Sequence, residues 1–133
     1  MGAKEEATAL HERGFNCAQS VLCALGKYTG LDEKTAFAVA GGFGGGVSCG
    51  EICGTAAGAV MAFGLVFSGE PGDPAARAKV RRLSSAFNRE FSETFGCIRC
   101  RELKQSGHPC AELIEYAAEL AEKTILENQE SEK

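Results

Sequence analysis

Seven cysteines in 133 residues are the most chemically pointed feature of this chain. A domain of this size buries an adequate core without covalent staples, so the thiols are not needed to hold it together. The odd number leaves at least one thiol outside any complete set of intramolecular disulfides. In a reducing compartment such density points to metal binding or redox chemistry. Any one cysteine can also be a small buried hydrophobe, but that is a poor account of seven. Spacing narrows the field little. Cys97-x-x-Cys100 suits redox, zinc and iron–sulfur sites alike, Cys49-x-x-x-Cys53 could share a metal or bond to itself, and no zinc-finger framework is complete. A c-type haem is excluded because Arg101 stands where histidine is required.

The elements that must position these thiols read as helices throughout. A first helix spans residues 3 to 13, with Gly14 as its stop. Asn16 caps a second, running to about Tyr28, which carries Cys17, Val21, Ala24 and Leu25 on one face and Cys23 off it. Asp32 caps a third, to about Ala40. A run from Gly41 to Gly46 holds five glycines in six positions and breaks any helix. A nearly uncharged helix over about 51–67 follows, expected to be central and buried. Asp73-Pro74 opens a long helix to about Phe95, with Val80, Leu83, Phe87, Phe91 and Phe95 as its buried stripe. A short turn or helix follows Gly96, and a last helix starts at Cys110, with a frayed tail from Glu127. The expected architecture is all-α, one domain over 1–133, a bundle of five to seven helices.

Helix phase sorts the cysteines. Cys17, Cys53 and Cys110 each fall in the first turn of a helix on its buried face, where free N–H groups and the helix dipole favour a thiolate. The glycine run fits no phosphate-binding signature. The bare backbone of Gly44, Gly45 and Gly46 is instead expected to lie over the cysteine site, offering N–H groups to sulfur or a small anion. His11 and His108 read as surface or capping residues, with His108 the one to test because it neighbours Cys110.

Bulk properties remove other classes. A net charge of -4 argues against nucleic acid as the main partner. The longest apolar run, Ala56 to Phe67, is too short for a membrane span. The start of the chain carries no apolar targeting segment, so a cytoplasmic protein is expected. The Gly- and Ala-rich central helix could serve a homodimer interface as well as a monomer core.

The ordered motifs Asn16-Cys17-Ala18-Gln19-Ser20, Gly41 to Gly46, Cys53-Gly54-x-x-x-Gly58, Cys100-Arg101-Glu102-Leu103 and Cys110 resemble the C_GCAxxG_C_C family of small redox-active proteins. The resemblance covers roughly residues 8 to 125 and places the family's four cysteines on Cys17, Cys53, Cys100 and Cys110. Cys23, Cys49 and Cys97 are then extra. Thr55 stands where the family motif has alanine, and the stretch from Leu103 to Cys110 is shorter than usual. The family is similar to part of the split-Soret cytochromes, which implies a [2Fe–2S] cluster on the four cysteines and an unnamed redox partner. A metal-free thiol–disulfide protein and a zinc or other metal module remain open beside it.

Overall fold

Local chemistry sets the helix starts in the computed structural model, which describes residues 2–130. Helix α1 (Ala3–Glu12) ends before Gly14, whose φ of +97° carries the chain out of the helix. Helix α2 (Cys17–Ala24) opens on a reciprocal cap. The Asn16 side chain accepts from the Gln19 N–H at 2.8 Å, and the Gln19 side chain accepts from the Asn16 N–H at 2.9 Å. Asp32 caps α4 (Glu33–Ala40) through the Thr35 N–H at 3.0 Å. Asp73 and Pro74 open α6 (Pro74–Phe95), and Gly96 closes it in the left-handed conformation.

Three boundaries depart from the sequence expectation. The second helix does not run through to Tyr28: it stops at Ala24, and a separate turn, α3 (Gly26–Thr29), follows Leu25. The central helix does not begin at residue 51. The backbone from Gly45 to Ser48 winds left-handed, with Val47 at φ +58° and Ser48 at φ +58°, and α5 (Gly54–Phe67) starts only after this wide turn over Gly46–Gly50. The C-terminal helix α8 (Cys110–Glu130) continues past Glu127 instead of fraying there; residues 131–133 lie outside the described residues. With α7 (Cys100–Gln105), eight α-helices stand among the described residues where five to seven were expected.

Helix α5 is the spine. Ala56, Ala59, Ala62 and Phe63 are buried, and α2, α6 and α8 all pack on it. Two of its glycines, Gly54 and Gly58, let α2 come to backbone contact: a Cβ at Gly58 would lie 2.9 Å from the Ala18 carbonyl oxygen. Leu83, Phe87 and Phe91 of α6 and Leu113, Ile114, Ala117, Ala121 and Ile125 of α8 complete the core. Val80, Phe95 and Leu120 sit at its margin, half-buried. Burial of these side chains stabilises by roughly 1.5–3 kcal/mol for each large one. Among the described residues no helix is long and apolar enough to cross a membrane.

Candidate functional site: a four-cysteine cavity

Each of the four cysteines Cys17, Cys53, Cys100 and Cys110 stands at a helix start. Cys17, Cys100 and Cys110 are the first residues of α2, α7 and α8, and Cys53 is the residue that caps α5. The cap that fixes Cys17 also anchors the glycine run, because Asn16 Nδ2 donates to the Gly41 carbonyl at 3.1 Å and Gln19 Nε2 to that of Phe37 at 3.0 Å. Cys53 and Cys100 are brought together by a single antiparallel bridge between Ile52 and Arg99. The Cys53 N–H donates to the Ile98 carbonyl at 2.7 Å, and the Cys100 N–H to the Glu51 carbonyl at 2.6 Å. Arg99 clamps the same place, reaching Glu51 and Glu102 at 3.2 Å each. No alternating strand pattern announces this bridge, so its role was not legible in the sequence.

The result is one small cavity of about 30 Å³ lined by all four of these cysteines together with Gly45, Thr55, Lys104 and Leu113. The volume matches one water-sized occupant, or a group held directly on the sulfurs. The other three cysteines lie elsewhere. Cys23 faces the Glu33 carbonyl at 3.8 Å, Cys49 is exposed on the wide turn, and Cys97 turns toward the Arg99 carbonyl at 3.9 Å. All seven are free thiols. His108 packs edge-on against Phe95 and approaches Glu112 at 4.0 Å, and neither histidine lines the cavity.

The glycine run contributes one wall residue, Gly45. Gly46 lies behind it, where a Cβ would overlap the Cys100 side chain and the Glu51 backbone, and Gly44 lies against the Asn16 side chain. These two glycines therefore allow close packing around the site, and Gly45 is the one that faces it.

At Cys53 the electrostatics run against the expectation that a helix start favours the thiolate. Burial pushes the Cys53 thiol above its ordinary range; the Thr55 hydroxyl and the N–H groups of Thr55 and Ala56 oppose that rise, and the neighbouring Cys17 adds to it. Burial likewise raises Cys100, with Lys104 opposing and Cys17 and Cys110 adding. The helix ends do supply N–H groups, yet desolvation is the larger effect. Thr55, where the family motif has alanine, is fully buried with its hydroxyl 3.1 Å from the Cys53 sulfur. Burial thus favours the protonated thiol at both Cys53 and Cys100 until a positive group or a sulfur–sulfur bond compensates the loss of the proton. Among the described residues no three His, Cys, Asp or Glu side chains are grouped to hold a single metal ion.

A helical chain gathering four thiols from four helix starts on one cavity is, as a class, a cysteine-centred protein. Residues 15–124 match the family model described as "Putative redox-active protein (C_GCAxxG_C_C)", and the chain belongs to that family. No curated protein and no solved structure gives a significant match.

Proposed function

We propose that this protein is a small one-electron carrier of the cytoplasm whose centre is built on Cys17, Cys53, Cys100 and Cys110, the four sulfurs serving as ligands of a [2Fe–2S] cluster. The observation that carries this reading is their convergence on one cavity while Cys23, Cys49 and Cys97 stay outside it. Four thiolates are the donor set such a cluster takes, and it asks for cysteines in pairs rather than three about one point. The resemblance to part of the split-Soret cytochromes favours iron over zinc. When bound, the cluster would supply a reversible one-electron couple.

The chain's own part is to hold the ligands, exclude water and balance charge. The 51–53 and 98–100 segments fix Cys53 and Cys100 relative to each other, while the capped α2 sets Cys17. Leu113 and the buried Thr55 help close the cavity, and the hydrogen bond from Thr55 supports negative charge on the Cys53 sulfur. Seven free thiols suit a reducing compartment.

Anaerobic purification, or reconstitution with iron and sulfide, should give a coloured protein with thiolate-to-iron absorption. Serine at any of the four positions should reduce its iron content severalfold, and serine at Cys23, Cys49 or Cys97 should not. A protein that stays colourless and iron-free after reconstitution overturns the reading.

The small volume of the cavity favours one second reading, a metal-free dithiol–disulfide couple in which two of the same sulfurs bond directly. That form would lose two hydrogens on oxidation, seen by intact mass before and after a mild disulfide oxidant.

A further inference from the structure

Thr55 carries the one hydroxyl among the side chains lining the cysteine cavity, and it is fully buried. Three other threonines, Thr8, Thr94 and Thr124, stand deeper in their helices. Each donates to the carbonyl four residues back, at 3.0, 2.9 and 2.8 Å. Thr55 is the second residue of α5, so the carbonyl four residues back, that of Glu51, lies outside the helix. That carbonyl accepts from the Cys100 N–H at 2.6 Å. The Thr55 hydroxyl turns instead to the Cys53 sulfur, at 3.1 Å. Among the described residues it has no other hydrogen-bond partner, and the other three cavity sulfurs have none. Burying a hydroxyl is unfavourable unless it is bonded, and valine has the same branched shape without one.

We propose that the Thr55 hydroxyl sets the redox poise of the cysteine centre, making it more readily reduced than the same four sulfurs would be without it. The inference deepens the redox reading above and rests on it. While Cys53 is a thiol, either atom of the pair can donate. A sulfur bonded to a metal holds no proton and can only accept, so the hydroxyl is then the donor. Added electron density makes that sulfur a better acceptor, and the bond strengthens on reduction. In the metal-free reading a disulfide sulfur is the poorer acceptor, so the same bond again favours the reduced form. The sign is common to both.

The test compares wild type with T55V, T55A and T55S, each checked for folding by circular dichroism. The reconstituted proteins are equilibrated anaerobically with a partly reduced viologen dye, and the reduced fraction is read from the visible spectrum. One electron passes from the viologen radical cation to the oxidised centre, giving the dication and the reduced centre, with no proton transferred. T55V and T55A should lower the equilibrium constant for reduction by about threefold to tenfold, as loss of one hydrogen bond implies. T55S keeps the hydroxyl and should match wild type, although its missing methyl lowers the melting temperature. The shift should persist in high salt, because a buried contact is little screened. Equal constants in wild type and T55V, both loaded with iron, overturn the inference and leave the cluster reading standing. A T55S shift as large as that of T55V also overturns it, since packing would then be the cause. Where T55V does not fold, T55A and T55S decide.

If wild type takes up no iron, the cluster reading fails, and Thr55 is judged on the thiol–disulfide couple. The iron-free protein is equilibrated with mixtures of glutathione and its disulfide. Two protein thiols give up their hydrogens to the two halves of glutathione disulfide, whose S–S bond breaks as one between Cys53 and another cavity sulfur forms. Alkylation and intact mass give the reduced fraction, and peptide mapping gives the pair. T55V should be oxidised at a glutathione ratio about threefold to tenfold more reducing than wild type. The same ratio in both proteins, or no disulfide at Cys53, sinks the inference.

Discussion

A Cβ on Gly54 would overlap the sulfur of Cys17. The absence of that one carbon lets the first turn of α5 sit against the first turn of α2 with the Cys17 sulfur between them. The same missing carbon keeps the Phe43 carbonyl oxygen in place, 3.0 Å from where it would stand.

The G54A variant should therefore damage the site more than the fold. Alanine gains helix propensity but forces Cys17 to move, and overpacking of this kind costs typically about 1–3 kcal/mol. A lowered melting temperature together with reduced iron uptake is expected. Wild-type values of both would show that the contact relaxes without consequence.

Alkaline stability should report the buried thiols. Burial, helped by Glu33, raises Cys23 from 9.0 to about 11. The folded state thus keeps the proton that the unfolded state releases. Stability from this group is complete below the unfolded value near 9 and is lost as pH rises through about 11. Cys53 and Cys100, also raised, act in the same direction. Denaturant midpoints measured from about pH 8 to about pH 10 should fall. The C23A variant should fall less steeply, and an unchanged slope would rule out Cys23 as a contributor.

On the acidic side the key group is Glu122. It accepts from the Tyr28 hydroxyl at 2.6 Å and from the Ala3 N–H at 3.2 Å, and it pairs with Lys27 at 3.4 Å, joining α1, α3 and α8. Burial acts to raise its pKa, but Tyr28, Ala3 and Lys27 together bring it below the ordinary carboxylate value. The stability it contributes is therefore present above the unfolded carboxylate pKa and is lost as pH falls through the folded one. E122Q should cost about 1–3 kcal/mol near neutrality and flatten the acid limb of the stability curve. A variant with an unaltered acid limb would contradict this.

The helix starts were legible because they depend on short-range side-chain chemistry. Asn16, Asp32 and Asp73 cap helices just where their spacing to the following N–H groups predicts. The grouping of Cys100 with Cys53 was open to the family pattern but not to periodicity, since one isolated bridge leaves no repeat to detect. The wide turn was illegible for another reason. Val47 and Ser48 are residues that local propensity assigns to anything but left-handed backbone, and hydrogen bonds back into the glycine run hold them there. The Val47 N–H donates to the Phe43 carbonyl at 3.1 Å and the Ser48 hydroxyl to that of Gly42 at 2.9 Å.

That conformation makes a further prediction. Val47 is 43% exposed and β-branched at φ +58°, so it loses little burial and much strain when its side chain is removed. V47G should stabilise by up to about 1 kcal/mol, the relief outweighing the extra freedom of glycine in the unfolded chain. A thermal melt decides the sign. A clear loss of stability would mean that the exposed side chain makes a contribution larger than its conformational penalty.

The four cavity cysteines come from both ends of the chain, two before α6 and two after it. A nascent chain on the ribosome holds only Cys17 and Cys53 of these four until α6 has been made. Assembly of the four-thiol cavity therefore waits for the segment that follows α6, and products that stop within α6 carry no complete set of its sulfurs.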